Sequence, residues 1–100
     1  MAKGYWIVRV DVNDAEIYKA YVAADAEPFR KYGAHFLVRG GKCGALEGVN
    51  RSRNVVIEFK DYATALACYH SPEYAAAKKL RQAAASSDVL IVEGYDAPQS

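Results

Sequence analysis

The alternation of apolar and polar positions along the chain predicts β-strands in three segments. Residues 53–60, RNVVIEFK, place an apolar side chain at every second position from Val55 to Phe59, and the other face carries one apolar and two charged side chains. Residues 5–12 and 89–95 have the same period of two. Each of these strands therefore has one face suited to a buried core.

A fourth strand-like segment, residues 34–48, is interrupted by the pair Gly40 and Gly41. The pair fits either a tight turn or a bulge within one long strand. We favour the bulge, because residues 48–52 offer the better turn.

This interpretation predicts a particular pairing. Residues 42–47 would lie directly opposite residues 54–59, and residues 34–39 would overhang the sheet. An overhanging strand exposes unpaired backbone N–H and C=O groups, so it favours association with a second subunit.

Between the first two strands, apolar residues recur at helical spacing. Asn13 is predicted to cap this helix, with Glu16 three residues later in a capping-box position. Pro28 is expected to kink or locally break the helix near its end, and Gly33 supplies a left-handed stop. The buried stripe would be formed by Ile17, Ala20, Tyr21, Ala24 and Pro28.

The segment after residue 60 predicts a helix in two pieces. Asp61 is placed to cap the first piece and Ser71 to cap the second. Pro72 interrupts the helix but suits the first position of the new piece, where no N–H is needed. The first piece carries an apolar stripe of Tyr62, Ala65, Leu66 and Tyr69, and the second a narrow seam of Ala76, Ala77, Leu80 and Ala84.

The resulting order, βαββαβ, indicates one α+β domain over residues 1–96, with a loose or exchanged tail at 97–100. Right-handed crossovers give a ferredoxin-like four-stranded antiparallel sheet in the order 4-1-3-2, with both helices on one face. The strand residues expected to meet the helices are Trp6, Val8, Val10, Val55, Ile57, Phe59, Leu90 and Val92.

The opposite face of the sheet is predicted to be half apolar and half charged. Such a face is too apolar for open water and too charged for a dry core. Packing it against its copy resolves both problems, so the pattern favours a homodimer that forms an α/β barrel. The residues expected on this face are Tyr5, Ile7, Arg9, His35, Leu37, Arg39, Val56, Glu58, Val89, Ile91, Glu93 and Tyr95.

Composition narrows the choice of partners. A net charge of +1 with 25% charged residues gives no excess of positive charge of the kind that binds nucleic acid or an anionic membrane. The chain has no apolar run near the roughly 20 residues of a membrane span, and its start does not resemble a signal peptide, so a cytoplasmic location is expected.

Two residue types bear on the environment of the protein. Cys43 and Cys68 favour reduced thiols over a disulfide. Eight tyrosines suit half-wet pockets and subunit interfaces.

Several segments together resemble DUF1330, an uncharacterised bacterial family within the dimeric α/β-barrel superfamily. The resemblance covers nearly the whole chain and implies a ferredoxin-like protomer and a barrel-forming dimer. It implies no reaction, because the superfamily includes cofactor-independent monooxygenases, lactone isomerases, haem-handling enzymes and proteins without known chemistry. The segments that carry it are RNVVIEF at 53–59, CYHSPEY at 68–74, VRGG at 38–41, LEG at 46–48 and VEG at 92–94.

One candidate site lies at the break between the two helical pieces. His70 and Tyr74 are four residues apart, so their side chains could converge beside Tyr69. We take His70 and Tyr74 as candidate catalytic residues, acting as acid or base and as hydrogen-bond donor, and Tyr69 as a ligand-binding neighbour. The structural alternative is that His70 caps the ending helix while Tyr74 packs at its margin.

A second candidate site lies on the predicted dimer-facing side of the sheet. Arg39 would bind an anionic group, while His35 or Glu58 would bind the ligand and transfer protons. The alternative is a set of interface ion pairs, in which Arg9 or Arg39 meets Glu58 or Glu93. Tyr18 and Tyr21 are expected to pack against the sheet rather than to bind a ligand.

No motif names a substrate. The glycine-rich stretch at 40–44 lacks the end of a phosphate loop, and the isolated histidines and cysteines lack metal-ligand spacing, so neither a cofactor nor a metal is predicted. The leading hypothesis is a small-molecule-binding homodimer with cofactor-independent proton-transfer or monooxygenase-like chemistry. The alternative is a regulatory or structural dimer that binds no ligand, and the sequence leaves open whether the protein is an enzyme.

Overall fold

A computed structural model describes residues 1–99 and shows a four-stranded antiparallel sheet with helices on one face. The strands lie in the order β2-β3-β1-β4, which is the predicted order read from the other edge. The ferredoxin-like prediction is confirmed, with the second helical segment divided into two helices. The elements are β1 (Gly4–Val12), α1 (Ala15–Lys31), β2 (His35–Arg39), β3 (Arg53–Phe59), α2 (Tyr62–Tyr69), α3 (Pro72–Ala84) and β4 (Ala85–Glu93).

Helix α1 begins one residue later than predicted and continues past its proline. Asp14 is the N-cap, because its Oδ1 accepts the N–H of Ile17 at 3.1 Å, whereas the backbone N–H of Asn13 donates to Ala84. The predicted break at Pro28 is wrong. A proline near a helix end removes only one internal hydrogen bond, and the carbonyl of Pro28 still accepts from Tyr32 at 3.0 Å.

The caps of the two later helices are confirmed. Asp61 Oδ1 accepts the N–H of Thr64 at 2.7 Å, and Ser71 Oγ accepts the N–H of Tyr74 at 3.1 Å. Pro72 occupies the first turn of α3, as predicted. Helix α3 then passes directly into β4, which starts at Ala85 rather than at the predicted residue 89.

The predicted partner of β3 is wrong. Residues 35–39 form β2 and pair with β3, so that His35 lies opposite Glu58, while residues 40–52 form a loop. Gly40 explains the difference, because its φ of +71° turns the chain away at the end of β2 and its N–H closes the ladder on Asn54 at 2.9 Å.

A bulge in β2 changes which face its last residues occupy. The register shifts between Phe36 and Val38, so Val38 lies opposite Val56 and Arg39 lies opposite Val55. Val55 belongs to the buried face of β3. Arg39 therefore lies on the helix side of the sheet, and its predicted place on the other face is wrong.

The faces of β4 are also the reverse of the prediction. Val89 lies opposite Val8 and Ile91 opposite Trp6, so both pack against the core below the helices. Glu93, opposite Gly4, is in the same phase. Leu90 and Val92 lie on the open face, where they are 58% and 41% exposed. The apolar character of β4 is similar on both faces, so register with β1 decides the orientation.

The core lies between the sheet and the three helices and is rich in aromatic rings. Trp6 is at its centre, with its Nε1 donating to the carbonyl of Ala65 at 2.9 Å. Its ring contacts those of Phe29, Phe59, Tyr69 and Tyr74 at centroid distances of 5.1 to 5.7 Å.

The remaining predictions on the chain concern its thiols and its end. Cys43 is exposed, Cys68 is buried, and both are free thiols. The predicted tail extends beyond the described part, since Ser100 lies outside it. Within residues 1–99, no helix has both the length and the apolar character needed to cross a membrane.

Candidate functional site

A narrow cleft of about 20 Å³, which has room for about one water molecule, lies between α1 and the adjacent strands β2 and β3. Its walls combine aromatic rings with three ionisable side chains that come from three different elements. Asp25 is on α1, Arg39 ends β2, and Arg53 begins β3. The aromatic part of the wall includes Tyr18, Tyr21, Phe29 and Phe36.

Asp25 is a carboxylic acid in an unusually apolar position. It lies one turn after Tyr21, and only 5% of its surface is exposed. The buried residues of α1 are Tyr21, Asp25, Pro28 and Phe29, which differ from the predicted stripe. Burial raises the pKa of Asp25 to about 7, although the guanidinium groups of Arg39 and Arg53 oppose this rise. Near neutral pH the group is therefore present in both its acid and its carboxylate form.

Each arginine of the cleft lies against an aromatic ring. The Cζ of Arg39 is 4.0 Å from the ring centroid of Phe36, and the Cζ of Arg53 is 5.6 Å from that of Tyr18. Within residues 1–99, neither arginine forms a salt bridge with Asp25. Arg53 Nε is buried and lacks a hydrogen-bond partner among the described residues. The cleft thus contains charged groups whose hydrogen-bonding capacity is not used by the protein.

Gly40 makes room for one of these groups. A Cβ atom at this position would lie 2.4 Å from Nη1 of Arg53, so the guanidinium would have to move from its place beneath the end of β2. The positive φ of Gly40 favours the same residue. The turn after β2 therefore favours glycine, and the same glycine leaves space for the guanidinium of Arg53.

Behind the cleft, three buried polar side chains form a hydrogen-bonded row. The hydroxyl oxygens of Tyr21 and Tyr74 are 2.8 Å apart, and Arg81 Nε donates to the Tyr74 oxygen at 3.4 Å. Burial raises the pKa values of both tyrosines, so both hydroxyls keep their protons at neutral pH. Tyr21 lines the cleft, and Arg81 is 5% exposed on α3.

The predicted pair His70 and Tyr74 lies in two different environments. His70 is exposed at the C-cap of α2, where its N–H donates to Leu66, and its ring contacts that of Tyr69 at 5.3 Å. Tyr74 is 1% exposed, and the centroid of its ring is 5.8 Å from that of Tyr69. Tyr69 therefore lies next to both residues of the predicted pair. The catalytic roles of His70 and Tyr74 and the binding role of Tyr69 remain predictions.

The second predicted group is divided between the two faces of the sheet. His35 and Glu58 lie opposite each other on the open face, where Glu58 accepts a hydrogen bond from the Tyr5 hydroxyl at 3.0 Å. This bond raises the pKa of Tyr5. The bulge in β2 places Arg39 in the cleft instead. Ligand binding by His35 and Glu58 remains a prediction.

The sequence analysis missed Asp25 and Arg53. Both are charged residues in phase with buried positions, since Asp25 follows Tyr21 by four residues and Arg53 precedes Val55 by two. A charge on a buried stripe is uncommon unless it is paired or functional, so this phase is the signal that could have identified them.

The open face of the sheet has an apolar row that crosses all four strands. Val38, Val56, Ile7 and Leu90 lie opposite one another in successive strands. Val38 is 42% exposed and Leu90 is 58% exposed. This row, which we call the apolar row, is uncovered in the protomer.

Residues 1–99 contain no cluster of three or more histidine, cysteine, aspartate or glutamate side chains that could hold a metal ion. The ionisable side chains that line the cleft are one carboxyl, two guanidinium and two phenol groups.

Comparison with known proteins identifies a family and a fold. The model of the family described as "Domain of unknown function (DUF1330)" matches residues 3–95. A search of curated proteins finds no significant match.

Several solved structures are similar over nearly the whole chain. A protein of unknown function from Rhodopseudomonas palustris is 20% identical with a TM-score of 0.78, over 96% of this chain and 85% of that one. SnoaB, a cofactor-independent oxygenase from Streptomyces nogalater, is 14% identical with a TM-score of 0.62, over 100% and 97% of the two chains. A dimeric protein of unknown function with a ferredoxin-like fold from Bacteroides fragilis is 16% identical with a TM-score of 0.54, over 91% and 95%. At these identities the likeness shows the fold alone.

Proposed function

The chain belongs to the DUF1330 family, a family of unknown function, and we propose that this member is a homodimer that binds a small oxygenated molecule in the cleft beside α1. The observation that supports this most strongly is the set of Asp25, Arg39 and Arg53, which face one cleft without forming salt bridges among the described residues. Charged groups in a cleft with unused hydrogen-bonding capacity are typical of a binding site.

The chemistry of the walls specifies the kind of ligand. Two guanidinium groups favour an anionic oxygen, which they can contact through several N–H donors. Tyr18 and Phe36 offer flat apolar surfaces next to those guanidiniums. The ligand we propose is therefore a flat, partly apolar molecule with a carboxylate, enolate or phenolate oxygen. Because the cleft has a volume of only about 20 Å³, the side chains that line it would have to move apart to admit the ring.

Asp25 gives the cleft a group that can transfer protons. A carboxyl with a pKa of about 7 can accept a proton and release it again near neutral pH. As a base it would take a proton from an acidic C–H or O–H of the ligand, and the negative charge left on the ligand oxygen would lie near Arg39 and Arg53. The fold shared with SnoaB, a cofactor-independent oxygenase, is compatible with such chemistry but is an analogy at the level of the fold.

The homodimer is proposed from the apolar row. A second copy packed on the open face would cover Leu90 and Val38, which water contacts in the protomer. The ferredoxin-like neighbour from Bacteroides fragilis is described as dimeric, which supports the same arrangement. If the protein is only a structural dimer, this interface remains and the cleft takes no ligand.

A binding experiment tests the cleft. We expect 2-naphthoate to bind the protein in isothermal titration calorimetry, and Arg53→Gln to weaken that binding about tenfold or more, because a charge-assisted hydrogen bond is lost. Arg30→Gln is the matched control, since it removes a guanidinium from the exposed side of α1.

Two outcomes would contradict the proposed site. Equal affinity for the Arg53→Gln variant and the wild type would place the ligand elsewhere. No binding by 2-naphthoate or by a panel of aromatic carboxylates and phenolates would favour the structural dimer.

A further inference from the structure

We infer that the Tyr21 hydroxyl is the directed hydrogen-bond donor of the cleft, and that buried Arg81, which does not line the cleft, sets that direction through Tyr74. The ligand class that follows is an oxyanion, a phenolate or an enolate, held by the Tyr21 O–H. This inference deepens the proposed function, on which its ligand part rests. The hydrogen-bond direction itself rests only on the row behind the cleft.

Arg81 fixes the donor of the first hydrogen bond in the row. A guanidinium has donors and no acceptor, so the contact between Arg81 Nε and the Tyr74 oxygen at 3.4 Å has Arg81 as its donor. Arg81 is 5% exposed and forms no salt bridge within residues 1–99. The Tyr74 oxygen is thus an acceptor for a buried cation.

The hydroxyl proton of Tyr74 then has one possible hydrogen-bond acceptor among the described residues. Among residues 1–99, the only acceptor within hydrogen-bond distance of the Tyr74 hydroxyl is the Tyr21 oxygen, 2.8 Å away. If Tyr21 donated instead, the Tyr74 proton would be buried without a partner, which costs free energy. The row therefore runs from Arg81 to Tyr74 to Tyr21.

This order leaves one proton free, that of Tyr21. Tyr21 lines the cleft and precedes Asp25 by one helical turn. The inferred order therefore directs its O–H toward the space that Asp25, Arg39 and Arg53 share. A hydroxyl that already accepts a hydrogen bond is a better donor, because bonds in a chain polarise one another. Tyr21 would therefore stabilise an oxygen that gains negative charge when Asp25 removes a proton.

Ligand-free protein gives the first test. The hydrogen end of the Tyr21 O–H dipole faces Asp25 in the inferred direction, so Tyr21→Phe should raise the Asp25 pKa, as measured by carboxyl carbon NMR titration. Tyr62→Phe, on the exposed side of α2, removes a hydroxyl elsewhere and should leave it unchanged. An unchanged or lowered Asp25 pKa in Tyr21→Phe would overturn the inference whether or not the cleft binds any ligand.

The second test uses 4-nitrophenol, whose phenol and phenolate forms have separate absorption bands. We expect Tyr21→Phe to weaken phenolate binding about tenfold and to leave nitrobenzene, which has the same ring without the oxyanion, unaffected. Equal loss for both probes would assign Tyr21 a packing role and overturn the inference. Nitrobenzene binding with no phenolate preference in the wild type would do the same.

Arg81 is tested by a double-mutant cycle, because a change in packing alone could also weaken binding. Arg81→Met should reduce 4-nitrophenolate affinity in the wild type but not in the Tyr21→Phe background, and Arg81→Lys should restore part of the loss. Equal losses in both backgrounds would show that Arg81 acts only on packing. If 2-naphthoate binding depends on Arg53 while the Tyr21 tests fail, the proposed function stands and this inference does not.

Discussion

Asp25 combines two properties that a folded protein usually keeps apart, burial and the ability to ionise. Burial disfavours the carboxylate, and two nearby guanidiniums only partly compensate. The folded pKa of about 7 lies well above the ordinary value of 3.8. The protein therefore maintains a group that titrates near neutral pH at a cost in stability.

That cost predicts a pH dependence. The native state holds the Asp25 proton at pH values where the unfolded chain has released it, so the contribution of Asp25 to stability is complete below about pH 4 and is lost as pH rises through about 7. The difference corresponds to on the order of 4 kcal/mol at high pH. Asp25→Asn, which cannot ionise, should therefore gain stability relative to the wild type between pH 5 and pH 8, measured by urea unfolding at each pH.

Glu27→Gln is the control for this measurement, because Glu27 is an exposed carboxylate on the same helix. Its stability difference from the wild type should change little over the same pH range. A constant difference between Asp25→Asn and the wild type would mean that Asp25 has an ordinary pKa.

Among the elements, the end of β2 connects the fold to the cleft. The bulge turns Arg39 toward the helices, and Gly40 admits the guanidinium of Arg53 beneath the turn. Two arginines from different strands thus line the same cleft as Asp25, one placed by a bulge and the other lying beside a glycine. Such local irregularities often occur next to functional sites.

Gly40→Ala should disturb both the turn and the cleft. The new Cβ meets Nη1 of Arg53 and the backbone has a φ of +71°, so we expect a loss of about 1–2 kcal/mol in the free energy of unfolding, and weaker 2-naphthoate binding. Gly41→Ala is the matched control, since a Cβ there has no neighbour within 4 Å. Equal effects of the two changes would indicate that Gly40 has no special role.

The same elements explain what the sequence can and cannot predict. Periodicity and capping residues predict β1, β3 and the break at Pro72, because these depend on local patterns. The strand order follows from the order of the elements and the right-handed crossovers. Local pattern does not predict which face of β4 is buried, because both faces are apolar. The register of β4 with β1 determines the buried face. Arg39 depends on a bulge that has no local signal, and Asp25 becomes conspicuous only when its place on the buried stripe is known.

At the scale of the whole molecule, the sheet has one covered face and one open face. The apolar row of Val38, Val56, Ile7 and Leu90 crosses the open face, and polar groups such as Glu58 with Tyr5 flank it. A polar rim around an apolar centre is typical of a protein interface. The cleft opens on the helix side of the sheet, so a partner on the open face would leave it accessible.

This separation predicts that association and ligand binding can be changed independently. Leu90→Asp places a charge in the apolar row, where burial in the proposed dimer would desolvate it. The variant should therefore be monomeric by light scattering at concentrations where we expect the wild type to be dimeric. Leu46→Asp is the control, because Leu46 is 92% exposed in the loop after β2 and its charge stays in water. The Leu90→Asp monomer should retain its affinity for 2-naphthoate, since every group proposed to hold the ligand belongs to one protomer. A variant that remains dimeric would exclude the apolar row from the interface, and a monomer that loses the ligand would mean that the partner subunit completes the cleft.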